Sequence, residues 1–156
     1  MEDQRLTVLV VEADTDEQHR IQELMRQTGF SDHTVFAADP AHVMEAVIES
    51  TPPANPRMPD LILVNLLAQD PRSWDQVSLL KHEARLTQVP ILALSDSDDA
   101  QLVQQAYRDG VTSLLLRPQS EAEWVPLFES LRLYWSRIVR LPYNGRRWIS
   151  QTTGQR

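Results

Sequence analysis

Residues 60–66 read DLILVNL, directly after Pro59. Past its opening acid the stretch has one polar residue, Asn65, and shows no apolar–polar alternation. A strand with one wet face alternates, whereas a strand buried on both faces does not. The stretch therefore predicts an interior strand of a parallel sheet with helices on both sides. Working outward, the same grammar repeats. On the N-terminal side, residues 51–59 (TPPANPRMP) carry four prolines in nine positions and predict a stiff surface loop. Before that loop, Val43, Met44, Val47 and Ile48 form the apolar stripe of a helix opened by Asp39-Pro40, an N-cap acceptor followed by proline in the first turn. His33–Ala37 is a short strand. Ile21, Leu24, Met25 and Thr28 share a helical face that Gly29 ends. Leu6–Val11 (LTVLVV) is a buried strand running into the acidic turn EADTD.

On the C-terminal side, Trp74, Val77, Leu80 and Ala84 predict a third helix, and residues 89–94 (VPILAL) a strand ending at Ser95. Leu102, Val103, Ala106 and Tyr107 predict a fourth helix closed by Gly110. Ser113–Leu116 is a fifth strand ending in Arg117-Pro118. Trp124, Leu127, Leu131 and Tyr134 or Trp135 predict a long last helix. The order βαβαβαβαβα, with right-handed crossovers, leaves few topologies. The expected one is an α/β, flavodoxin-like, doubly wound five-stranded parallel sheet of order 2-1-3-4-5. Ligands and chemistry in such sheets sit at the carboxyl ends of the strands. Those ends are Glu12-Ala13-Asp14, Asn65, Ser95 and Arg117.

Length and composition agree with one domain: 156 residues, 42% apolar, expected as a globular unit over 1–140 with a basic tail over 141–156. There is no cysteine, which excludes disulfides and thiolate metal sites and suits a cytoplasmic setting. No signal peptide is expected, and no apolar run approaches the ~20 residues of a membrane span. Net charge is −7, unevenly spread: all 22 acids precede Arg132, and six of the 15 bases are arginines from Arg132 onward. The basic end reads as a solvated helix end and tail; a nucleic-acid contact is the less favoured reading. Lys81 is the single lysine.

The segments VLVVEADTDEQHRIQELM, PDLILVNL, PILALS and DGVTSLLLRP, in this order and spacing, resemble the response-regulator receivers of two-component signalling, over roughly residues 6–140. The ending YWSRIVRLP is similar to that of stand-alone receivers that work with bacterial phytochrome kinases. Receivers take a phosphoryl group from a histidine kinase onto an aspartate, with a divalent cation, a hydroxyl and a lysine in support. The resemblance places the two acidic positions on Glu12, retained, and Ala13, which has no donor. It places the phosphoacceptor on Asn65, the hydroxyl on Ser95, the lysine on Arg117 and the switch aromatic on Leu114. The loop glycine falls on Ser73. A one-residue slip would put Asp14 in place of Ala13 and leave Asn65 unchanged. An amide cannot form an acyl phosphate, so the pocket is expected to be degenerate.

The expectation is a non-enzymatic, single-domain atypical response regulator acting through protein contacts, with no cofactor and no bound Mg²⁺. An Arg117–Asn65 or Arg117–Glu12 contact is expected to hold the pocket in one state. A sensor histidine kinase of the phytochrome kind is the implied partner. A homodimer is implied through the face of the fourth helix, fifth strand and fifth helix, using Leu102, Tyr107, Trp124, Tyr134 and Trp135. Adjacent Tyr134 and Trp135 cannot both face inward, since neighbours differ by ~100° around a helix. The alternatives are phosphorylation on another carboxylate, regulation by a small ligand, or nucleic-acid binding through the basic end. Asp14 with Asp16, and Asp96, Asp98 and Asp99, read as helix caps. Asp70 and Asp75 read as loop or helix-start groups, and His19, His33, His42 and His82 as surface residues.

Overall fold

A computed structural model describes residues 3–50 and 58–142. Five strands, β1 (Thr7–Val11), β2 (His33–Ala37), β3 (Leu61–Leu66), β4 (Ile91–Ser95) and β5 (Ser113–Leu116), form one parallel sheet of order β2-β1-β3-β4-β5. The helices are α1 (Thr15–Thr28), α2 (Val43–Ser50), α3 (Pro71–His82), α4 (Ala100–Asp109) and α5 (Glu121–Arg132). The expected topology is the observed one. β1, β3 and β4 are buried at every position, as unalternating strands must be when helices cover both faces.

Their side chains sort by parity into two cores. Leu9, Val11, Ile62, Val64, Ile91 and Ala93 face Val43 and Val47 of α2, Val77 and Leu80 of α3 and Ala106 of α4. Val8, Val10, Leu61, Leu63, Leu92 and Leu94 face Ile21, Leu24 and Met25 of α1 and Trp124, Phe128 and Leu131 of α5. Caps fall where the sequence placed them. The Asp14, Asp39, Asp70 and Asp99 carboxylates accept from backbone N–H groups at the starts of their helices. Gly29 and Gly110 end α1 and α4 with φ of 71° and 118°, a region where only glycine is unstrained.

Several expectations are corrected. The stripe of α2 stops short of Ile48, which is 53% exposed. α3 ends at His82, because Glu83 turns extended (ψ 110°) and starts a short 3₁₀ turn holding Ala84. Ser73 lies in the first turn of α3 and is buried; it is not a loop residue. Three of the residues expected at the partner face are interior: Leu102, Trp124 and Trp135 are 2%, 4% and 4% exposed. Leu102 sits on the inward stripe of α4, while Trp124 and Trp135 fill the gap between α5 and the sheet. Tyr134, half-exposed, takes the outward position next to Trp135.

After α5 the chain widens into a π turn over Leu133–Ile138, where Val139 N–H reaches back to the Tyr134 carbonyl at 2.9 Å. The N-terminal segment closes this turn. Gln4 N–H donates to the Ser136 carbonyl at 2.6 Å, and Asp3 pairs with Arg132 (3.0 Å) and Arg137 (2.8 Å). Leu141 is buried in the α1–α5 core, so packing passes residue 140. The proline-rich stretch 51–57 and the tail from 143 onward lie outside the described residues. No helix among the described residues is long and apolar enough to cross a membrane.

Candidate functional site

Parallel strands of matched register deliver their carboxyl ends to one edge of the sheet. Glu12 follows β1 and donates its N–H to Ala37 (2.9 Å); Arg117 follows β5 and donates its N–H to Ser95 (2.8 Å). Asn65, one residue before the end of β3, lies between them and is 8% exposed. Its amide is used at both ends. The Nδ2 group donates to Glu12 Oε2, and Oδ1 accepts from Arg117 Nη1 at 2.6 Å. The reverse orientation would set a carbonyl against a carboxylate and an NH₂ against a guanidinium, so the neighbours dictate this one. The second arm of Arg117 donates to Glu17 Oε2 on α1 at 2.9 Å.

The guanidinium of Arg117 also lies over the Trp124 ring, 5.1 Å from its centroid, and Arg20 lies 5.4 Å from the same ring. Arg20 is held by Glu17 (3.3 Å) and Glu121 (2.5 Å). A continuous chain of contacts, Glu12–Asn65–Arg117–Glu17–Arg20–Glu121, thus ties β1, β3 and β5 to α1 and α5. An aspartate at position 65 would face the Glu12 carboxylate and could donate nothing to it while ionised. The amide is the group this arrangement requires.

Of the two expected pocket contacts, Arg117–Asn65 is present; the carboxylate on Arg117 is Glu17, where Glu12 had been expected. Ser95 is wholly buried and its hydroxyl is committed to its own turn, donating to the Ser97 carbonyl (2.6 Å) and accepting from Ser97 N–H (3.1 Å). Ala13 is exposed and offers no ligand atom. Leu114 is half-buried, and its N–H donates to the Tyr107 hydroxyl at 3.1 Å, tying the outer edge of β5 to α4. Below Asn65, its carbonyl accepts from Gln76 Nε2 (3.0 Å) and the Ser73 hydroxyl (3.2 Å), and Ser73 Oγ accepts from Leu67 N–H (2.7 Å).

Of the acids read as caps of the fourth helix only Asp99 caps it; Asp96 instead ties the turn after β4 to the turn after β3, and Asp70 stands at the start of α3. Asp99 accepts from Gln101 and Leu102 N–H, Asp96 from Ala68 N–H at 2.9 Å, and Asp70 from Arg72 N–H. Among the described residues, no three His, Asp or Glu side chains converge as a metal site. Lys81 lies away from the site at the end of α3. Its stem packs against Gly110, where an added Cβ would come within 2.9 Å of Lys81 Cγ, and burial pushes its ammonium pKa down. Exposed His42 is held by the Asp39 carboxylate (2.7 Å), whose hydrogen bond, with its charge, pushes the imidazole pKa up.

Sequence reasoning missed Glu17, Gln76 and the stacking of Arg117 on Trp124. Glu17 stands in the first turn of α1, where an acid complements the helix dipole, and nothing local announces a partner one hundred positions away. Beside the network a cleft of about 420 Å³ opens between the turns after β1, β2 and β3 and the outer side of α3.

With this geometry in view, solved structures of similar shape are informative. The chain is similar to the phosphorylated cyanobacterial phytochrome response regulator RcpA, with a TM-score of 0.71 and 20% identity, covering 88% of this chain and 99% of that one. It is also similar to response regulator RPA3017, from red-light signalling in R. palustris (TM-score 0.72, 23% identity, 88% and 98% covered). The chemotaxis response regulator CheY4 of Vibrio cholerae matches at a TM-score of 0.60 and 16% identity, with 81% and 98% covered. At these identities the likeness is one of fold, and the fold is that of response-regulator receivers. No protein-family profile and no curated protein matches the sequence.

Proposed function

We propose that this chain is a cytoplasmic receiver-fold signalling domain that works through protein contacts and does not accept a phosphoryl group in its pocket. The observation that carries the reading is the two-ended use of the Asn65 amide between Glu12 and Arg117. The position that would carry the nucleophile is instead the middle of a closed polar chain, and the groups that would meet an incoming phosphate are already paired. The domain needs no Mg²⁺ in this reading, since Ala13 lacks a donor and Asn65 is neutral. It is not an enzyme. Incubating the chain with acetyl phosphate and Mg²⁺ is expected to leave its intact mass unchanged. A phosphorylated mass with the label mapped to Glu12, Asp14 or another pocket carboxylate would overturn the proposal and establish the alternative acceptor.

The partner kind follows from surface chemistry. Tyr107, Leu116, Leu133, Tyr134 and Ile138 are large apolar residues left exposed on α4, β5 and the α5–π segment. A second copy of the chain is the proposed occupant of that face; a sensor histidine kinase of the phytochrome kind as signalling partner is supported separately, by the likeness to the phytochrome response regulator RcpA. Light scattering is expected to show a dimer, and Tyr134→Ala to shift it toward monomer at the same concentration. A monomeric parent chain would remove the dimer from the proposal. Trp135 is not the residue to test, because it is interior. Nucleic-acid binding is not favoured: Arg132 and Arg137 are already paired with Asp3.

A further inference from the structure

The cleft beside the polar network is partly apolar and unevenly charged. Leu67 and Leu79, 42% and 56% exposed, stand on its walls with Pro40. Its lining carries three carboxylates, Glu12, Asp39 and Asp70, against the one guanidinium of Arg72, which lies 3.7 Å from Asp70; Glu12 also accepts from Asn65, and Asp39 holds His42. Size and lining fall within the range of specific binding sites, about 300–1,000 Å³ with mainly apolar walls and a few polar groups. The complementary chemistry is a bulky apolar side chain beside positive charge. The chain carries that combination at residues 146–149, Arg-Arg-Trp-Ile, in a stretch without acids.

Reach decides between its own tail and a neighbour's. α5 begins near the carboxyl ends of the strands, where Glu121 meets Arg20, and runs back to where Ser136 meets Gln4 before β1. Leu141 is anchored there, in the α1–α5 core. The cleft lies at the other end of the sheet and on its other side, against α3. Six residues from Pro142 to Trp148 span at most about 22 Å. The length of β1 alone separates the two ends by about 17 Å, and a path round the outside adds helix layers about 10 Å thick. Residues 146–148 therefore cannot reach the cleft of their own chain.

We propose that the cleft formed by Glu12, Asp39, Leu67, Asp70 and Leu79 receives residues 146–149 of a second copy of this chain. Trp148 seats on the two leucines and the arginines meet the carboxylates. This contact goes beyond the proposed signalling role and uses a surface separate from the α4–β5–α5 face; light scattering reads both contacts between copies, whereas the peptide titration below reads the cleft alone.

The test uses the full chain carrying Arg146→Glu and Arg147→Glu, which disables its own tail and leaves the cleft intact. A labelled peptide of residues 141–156 is titrated against it and followed by fluorescence anisotropy. Saturable binding is expected, weakening with salt. Leu79→Arg, a change at an exposed position, is expected to weaken it at least ~10-fold, because a like charge then faces the arginines. A peptide with Trp148→Ala is expected to lose binding as well. Absence of binding by the parent peptide, or binding indifferent to Leu79→Arg, would overturn the proposal.

Discussion

Replacing Phe128 with alanine is expected to lower the unfolding free energy by about 4 kcal/mol. Phe128 is fully buried and is the hub of the α1–α5 core, edge-to-face with Phe30 at 5.9 Å and with Trp124 at 6.2 Å. Its loss removes the transfer free energy of a large side chain and leaves a cavity between α5 and the sheet. α5 is also poorly able to hold itself. Pro126 lies inside it and cannot donate to the preceding turn, so packing rather than propensity keeps the helix in place. A urea titration should show the midpoint falling with little change in slope, and the melting temperature should drop on the order of 15 °C. A loss below about 1 kcal/mol would mean that α5 does not depend on this contact.

Arg117→Ala is the second large effect, expected at about 2 kcal/mol. Exposed ion pairs contribute roughly 0–1 kcal/mol, whereas breaking a buried pair costs about 3–5 kcal/mol. Arg117 and Glu17, with side chains 20% and 22% exposed, fall between those limits. The truncation also strands the Asn65 carbonyl oxygen and uncovers one face of Trp124. Arg117→Lys should recover only part of the loss. A point charge cannot serve Asn65 and Glu17 with a planar fork while stacking on the indole. A double-mutant cycle with Glu17→Gln should show coupling above about 0.5 kcal/mol, and a cycle with exposed Arg72→Gln should be additive. Arg117→Ala costing under about 0.5 kcal/mol would show that the polar chain does not hold the site together.

Most of the fold was legible because burial leaves a period in the sequence. β3 and β4 show it as apolar runs without alternation, broken only by Asn65 and closed by Ser95. α1 and α4 show it as stripes that glycine ends at a left-handed turn. The misreadings have two causes, periodicity and the family resemblance. Periodicity locates an apolar stripe but does not say what lies opposite it. Ile48 was therefore assigned to an inner face that it does not reach, whereas Trp124 and Leu102 lie on the stripes that periodicity gave them and only the family resemblance had set them at a partner face. Ser73 was placed in a loop by the resemblance, which set a loop glycine there, whereas Asp70-Pro71 opens α3 two residues earlier.

The sequence by itself determined the strand order through its alternation of elements, the positions of the caps, and the absence of a carboxylate at Asn65. Those properties are carried by neighbouring residues or by single residue types. Only the tertiary structure decided what Asn65 does instead. Its amide meets Glu12 from β1 and Arg117 from β5, and Arg117 meets Glu17 from α1, across separations of 53, 52 and 100 positions. Such contacts depend on which strand ends the fold brings side by side, and no local pattern encodes them. They make Asn65 the middle of a closed bridge between β1, β5 and α1.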